Sequence, residues 1–310
     1  MDYIQIANTD LKVSRLALGM MRIAEKNEEE VEILIREALA QGINFFDHAD
    51  IYGKGECERI FGKVLAKNPE LREQMLIQSK CDIVQEYAGG LRYDTSREYI
   101  MNQVQHSLER LHTSHLDILL LHRPDALCDP VELSETFDEL HEKKLVRYFG
   151  VSNHSVGKLR LLNKYLKQPL ICNQLQFSII HSHMLDSDFF VNMADDHAVD
   201  RDHGMLDYCR LHDITVQTWC PLQASWADGS FIDNPKYARL NALLESLATE
   251  YRVTKSAIAL AWILRHPANM QAVIGTTSPV HLRESCEALK VCLTRQQWYD
   301  LYMAENKRIP

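Results

Sequence analysis

The chain of 310 residues carries 34 Lys and Arg against 43 Asp and Glu, a net charge of −9, with 46% hydrophobic residues. An acidic balance without a basic run excludes nucleic acid, whose phosphate backbone demands a basic stripe. No apolar stretch approaches the roughly 18 residues of a membrane span, and the opening Met1-Asp-Tyr-Ile-Gln-Ile lacks a basic-then-apolar leader, so a soluble cytoplasmic protein with no membrane partner is expected.

In chain order, residues 3–6 and 11–13 flank Ala-Asn-Thr-Asp and read as a hairpin. Residues 15–19 form the first buried run. Residues 28–41 then set Val31, Leu34, Ile35, Ala38 and Leu39 at helical spacing, and Gly42 ends that stretch. Seven further runs follow at 43–47, 75–79, 116–121, 146–151, 170–175, 214–218 and 272–274. Helical material follows each, including 57–65, 96–111, 130–144, 155–166 and 279–289. Short runs that are apolar on both faces suit parallel strands buried between layers. Eight βα units closing on themselves make an α/β TIM barrel, (β/α)8, of roughly 250 residues.

The remaining residues are expected to form extensions: the 3–13 hairpin at the barrel floor, a helix at 294–306 within a C-terminal extension to 310, and insertions at 186–203 and 223–235. No Pro/Gly/Ser-rich linker divides the chain, so 1–310 reads as one barrel domain. A doubly wound sheet would announce itself with Gly-x-Gly-x-x-Gly after the first strand, which instead ends Gly19-Met-Met-Arg22. The eight cysteines include no Cys-x-x-Cys pair and read as reduced thiols, without disulfides or structural zinc.

Function in such barrels lies at the C-terminal ends of the strands. The second strand ends in Asp47, with Tyr52 five residues on; the third ends in Lys80; the fourth runs into His122. A phenol is a weak acid, with a pKa of about 10, and a neighbouring ammonium favours the phenolate. Lys80 suits that part, Asp47 would hold the lysine, and His122 would aim a substrate oxygen. The set fits protonation of a carbonyl oxygen while another group attacks the carbon. Each residue alone has a structural explanation, as a cap, a loop aromatic or an ion pair. Four complementary groups at successive strand ends argue for chemistry.

Phe46-Asp-His-Ala-Asp-Ile-Tyr-Gly53, Gln78-Ser-Lys80 and Leu-Leu-His122-Arg-Pro-Asp resemble the signature segments of the aldo-keto reductases, and the resemblance spans essentially the whole chain. It implies an (α/β)8 barrel that reduces aldehydes and ketones with NADP(H), with Asp47, Tyr52, Lys80 and His122 as the catalytic tetrad and Tyr52 as general acid. By the same resemblance, Ser152, Asn153 and Gln174 would hold the nicotinamide amide. Trp219 stands where the family usually has a stacking tyrosine. Cys220 replaces a serine, followed by Pro221 and Leu222. Gly275, Thr276, Thr277 and Ser278 match the loop that grips the adenosine 2′-phosphate, and Gly19 and Asp47 complete the cofactor set. The arginine that many members place two residues after the loop's proline aligns with His281, and Arg283 is the candidate to substitute. The ending Leu-Thr-Arg-Gln-Gln-Trp298 and the 186–203 insertion fit a bacterial YdhF-like branch.

Two rivals come from other classes. One is an NADP(H)-binding barrel with little turnover that acts through a protein partner, using 186–203 and 223–235 as surfaces. The other is a metal-dependent hydrolase, for which His181, His183 and His203 are poorly placed in sequence, so no metal is expected. The motifs leave the particular carbonyl substrate and the oligomeric state open.

Overall fold

Eight parallel strands hydrogen-bond side to side and close into a barrel. They are β1 (Leu16–Gly19), β2 (Phe45–Asp47), β3 (Leu76–Cys81), β4 (Leu116–Leu121), β5 (Val146–Ser152), β6 (Leu170–Gln176), β7 (Thr215–Trp219) and β8 (Gln271–Ile274). Their order round the barrel is their order in sequence, and β8 closes onto β1 with Ala272 opposite Leu16. The (β/α)8 architecture expected from the apolar runs is therefore present. The structure is a computed structural model and describes residues 1–86, 90–305 and 307–310.

Helices return the chain between strands. The first, α1 (Glu28–Ala40), starts in a capping box between Asn27 and Glu30 and buries Val31, Leu34, Ile35 and Ala38. Next come α2 (Glu56–Lys67), α3 (Arg97–Leu111), α4 (Pro130–Glu142) and α5 (Val156–Tyr165). After β6 comes α6 (His183–Asp186), and the expected 186–203 insertion then holds 3-10 turns at Ser187–Phe190 and Asp196–Ala198 before α7 (Met205–Leu211). Two helices, α8 (Ala238–Tyr251) and α9 (Lys255–Leu264), separate β7 from β8. Every residue of α9 from Ala257 to Leu264 is buried, because the helix is enclosed by its neighbours as well as by the barrel.

The hairpin Tyr3–Gln5 with Lys12–Ser14 covers the N-terminal end of the barrel. Ile6, Leu11 and Val13 pack beneath Phe45, Ile118, Leu120 and Ile171. The Ala7 amide donates to Thr215 Oγ1 at 3.0 Å, and Asn8 to Asp213 at 3.1 Å. After β8, α10 (Pro279–Cys286) leads to α11 (Arg295–Met303). Trp298 of α11 stacks on Trp262 of α9 at 4.9 Å, and each indole N–H donates to the other residue's carbonyl at 3.0 Å. Asn306, the end of the expected helix, lies outside the described residues.

Two features were not anticipated. A hairpin, Ile83–Glu86 with Gly90–Tyr93, rises directly from β3, and a shorter one, Gln223–Ser225 with Gly229–Ser230, occupies the 223–235 insertion. All eight cysteines are unpaired. Among the described residues no helix is long and apolar enough to cross a membrane.

Candidate active site

Asp47 is the last residue of β2, Lys80 the penultimate residue of β3, and His122 follows β4. Parallel pairing of β2, β3 and β4 fixes their relative heights, with Asp47 opposite Gln78 and Lys80 opposite Leu120. Tyr52 comes from the turn after β2. There Gly53, Lys54 and Gly55 all take positive φ (56°, 56° and 85°), reversing the chain before α2 starts. Two of the three are glycine, which enters this region freely; Lys54 does so at about 1–2 kcal/mol.

The result is a contiguous polar cluster. Lys80 Nζ donates to both carboxylate oxygens of Asp47 at 2.7 Å and to the His48 carbonyl at 2.8 Å, and stands 3.3 Å from Tyr52 Oη. The ammonium is fully buried and its three N–H bonds are all occupied. The Tyr52 and His122 rings meet edge to face at 6.0 Å. The structure thus brings the four predicted residues together.

Their electrostatics add burial to the expected influence of Lys80. Lys80 pulls the Tyr52 phenol down, as anticipated, yet burial pushes it up by more and Asp47 adds to that, so the net shift is upward. Burial lowers Lys80, but Asp47 and Tyr52 together raise it above its ordinary value. Burial, Lys80 and Arg123 hold His122 well below the usual imidazole range, and its Nδ1 is buried without a partner. At neutral pH the cluster is therefore a neutral phenol, a cationic lysine and a neutral imidazole.

Glutamines support it from below. Gln78 and Gln174 both donate to Asp47 Oδ1, at 2.6 and 3.1 Å. Gln78 and Gln174 also reach Gln217, Gln217 donates to Gln271 at 2.9 Å, and Gln271 donates to the Ser14 carbonyl at 2.8 Å. Hydrogen-bonded amides therefore cross the barrel interior from mouth to floor. The sequence signal was a glutamine in each of four barrel strands, at Gln78, Gln174, Gln217 and Gln271. Gln174, expected among the nicotinamide ligands, has its amide turned into this network.

The other candidate cofactor residues line the mouth from β5 to β8. Ser152 Oγ donates to the Gln174 carbonyl at 2.9 Å and accepts from Asn153 Nδ2 at 2.7 Å, while Asn153 Oδ1 accepts from Trp219 Nε1 at 3.1 Å. Cys220 adopts φ 51° and its thiol faces Gln223; Pro221 is buried and Leu222 half-buried. Gly19 ends β1 where a Cβ would come within 3.1 Å of Val273, so a close strand approach also demands glycine there. In the loop after β8, Gly275 is exposed, Thr276 and Thr277 are half-buried, and Ser278 caps α10 through the His281 amide.

Arg283 does not join that loop. Its guanidinium pairs with Glu37 of α1 at 2.9 Å. The cation beside the loop is Arg22, which lies 3.4 Å from the Gly275 carbonyl and close enough to Cys220 to lower its thiol against the upward push of burial. Arg22 is missed by a residue-by-residue match to the loop because it arrives from the other side, directly after β1.

A cavity of about 390 Å³ adjoins Asn153 and Trp219. Another, of about 450 Å³, lies at the opposite end between the N-terminus, Arg15 and Asn269, and touches none of the residues above. Among the described residues no group of three His, Cys, Asp or Glu side chains is placed to hold a metal.

The sequence profile of the Aldo/keto reductase family matches residues 15–304. The chain is 34% identical to a 6-dehydroglucose reductase of Agrobacterium fabrum over 96% of both chains. It is 33% identical to the oxidoreductase YdhF of Escherichia coli, over 97% of this chain and 96% of that one. The crystal structure of a thermostable aldo-keto reductase, Tm1743, aligns with a TM-score of 0.77 at 24% identity, covering 98% of this chain and 100% of that one. The chain belongs to the aldo/keto reductase family and is an oxidoreductase, and its similarity to YdhF agrees with the branch suggested by its motifs. The family uses nicotinamide cofactors. The donor set here fits one: an aromatic face at Trp219, amide and hydroxyl groups at Ser152 and Asn153, and a cation with a helix start at Arg22 and Ser278.

Proposed function

We propose that this protein reduces the carbonyl of a small hydroxylated aldehyde with NADPH, using Tyr52 as the acid. The observation that carries the reading is the 3.3 Å approach of Lys80 Nζ to Tyr52 Oη, with Lys80 clamped by Asp47. When bound, the cofactor supplies hydride to the carbonyl carbon. Trp219, Ser152 and Asn153 would hold its nicotinamide, and Arg22 with 275–278 its adenosine phosphate.

The chain's own groups do the rest. Tyr52 stays protonated until a carbonyl oxygen gains charge beside it, then passes its proton to that oxygen. The tyrosinate left behind faces the Lys80 ammonium, which stabilises charge only as it develops. Neutral His122 keeps one N–H to orient the oxygen without competing as an acid. Asp47 fixes the ammonium. Tyr52 regains its proton from solvent after the alcohol departs. The preference for a hydroxylated aldehyde follows the relative named for 6-dehydroglucose. A cytoplasmic site, where unpaired thiols persist, goes with the eight free cysteines.

The test is oxidation of NADPH, and separately NADH, with a panel of aldehydes and aldoses before and after Tyr52→Phe. Activity that survives the loss of the hydroxyl overturns the acid assignment.

A further inference from the structure

The residue after His122 is a cation with nothing to neutralise it. Arg123 is half-buried, and among the described residues its guanidinium has neither a carboxylate nor a hydrogen-bond acceptor. Its backbone N–H is anchored by both oxygens of Asp82 at 3.1 Å, which fixes where the side chain begins. Its charge is felt at His122, so it lies within electrostatic reach of the tetrad.

Arg123 lines the 390 Å³ cavity together with Asn153, His154, Ser155, His181 and Trp219. The wall is cationic. It also includes Arg201, and among the described residues that line it Asp202 is the only carboxylate. Ser155 caps α5, so the first amides of that ten-residue helix, with the positive end of its dipole, open beside the same space. Lys158, in the first turn of α5, donates to the Asp125 carbonyl at 2.8 Å and has no acid partner among the described residues. Burial lowers His154 and His181 to about 4, so both rings are neutral polar walls at neutral pH. An unpaired guanidinium in a partly buried site is stabilised by an anion that complements its planar fork.

We propose that this cavity is the substrate's anion subsite, taking a carboxylate carried a few carbons from the reacting carbonyl, with Arg123 as its counter-ion. The inference rests on the reductase reading for its position beside the reacting atoms. It narrows the substrate class from small hydroxylated aldehydes to those that also carry an anion.

The experiment compares 4-oxobutanoate with butanal, aldehydes of equal chain length that differ by a terminal carboxylate. In the wild-type protein kcat/KM should favour the anion by about tenfold or more. Arg123→Met should bring that ratio close to one, and Arg123→Lys should keep most of it; Arg123→Gln replaces the Met variant if that one does not fold. A wild-type ratio of one or below, or a ratio unchanged in the Met variant, overturns the subsite. If neither aldehyde is reduced, the reductase reading fails, and butyrate binding followed by tryptophan fluorescence judges the subsite alone. Saturable binding that weakens at least about tenfold in Arg123→Met supports it. Absence of saturable binding, or equal binding in the variant, overturns it.

Discussion

At the floor of the barrel, Asp117 accepts Arg72 and Arg147 at 2.9 Å and the Ile77 amide at 2.9 Å, while Arg147 reaches on to Asp10 and Tyr148 hydrogen-bonds the same carboxylate. At the mouth, a similar density of charge is left incompletely satisfied. Both ring nitrogens of His48, Asp50 Oδ1, His122 Nδ1 and Thr218 Oγ1 are buried without partners. The mouth is also where protonation equilibria move furthest: burial and Lys80 drive His48 down to about 3, and burial with Glu58 nearby lifts Asp50 to about 8. A buried polar group without a partner is destabilising by roughly 1–3 kcal/mol. Among the described residues the floor leaves one such atom, Arg15 Nε, against these five at the mouth, which separates a region built mainly for holding the barrel together from one that carries the unsatisfied groups.

The sharpest way to break the comparison is Tyr52→Phe, expected to lower kcat by about 10²–10⁴ with the unfolding midpoint nearly unchanged. Equal losses of activity and stability would show that Tyr52 is a packing residue. Next in size is Asp117→Ala at the floor, which strands two arginines. It should lower unfolding stability in urea by about 3 kcal/mol while kcat/KM per folded molecule changes less than about twofold. A large kinetic effect there would erase the distinction between the two ends.

A smaller effect is expected for Arg22→Gln, which should raise the KM for NADPH about tenfold with little change in kcat. Arg283→Gln, whose partner is an exposed ion pair, should change it by less than about twofold. The last is Asp50→Asn, read as stability against pH. Asp50 has a folded pKa raised to about 8, so the native state holds its proton more tightly than the unfolded chain does. Its contribution is fully present below the unfolded value near 4 and is lost as pH rises through 8. The Asn variant should therefore match the wild type near pH 4 and gain on it steadily as pH rises toward 8, measured by urea unfolding at each pH. An advantage that grows toward low pH would contradict the sign.

The eight strands were legible because each is buried on both faces, and residues such as Leu116 to Leu121 carry no polar side requiring a long-range partner to interpret except Asp117. The tetrad was legible because parallel register converts strand-end positions into neighbours. Pairings decided across the barrel were not. Arg283 could be aligned with the phosphate loop, but only the packing of α10 on α1 reveals Glu37 beside it. Arg22 follows β1 and meets a loop more than 250 residues later. The net shift at Tyr52 was not legible, because proximity to Lys80 is visible in a motif, whereas the burial that outweighs it comes from the whole surround. The hairpin after β3 lacks the Asn-Gly or Asp-Gly turn that marks a two-residue connection.

The floor hairpin also sets an order of events in folding. Its contacts with Thr215 and Asp213 span 208 and 205 residues, whereas the one from Ser14 to Asn44 spans 30, so its docking starts against the early strands and is completed only with the seventh. Closing contacts of such separation is slow. The seal across the barrel's bottom is thus among the last contacts of the fold to form, because its longest-range bonds close the largest loops.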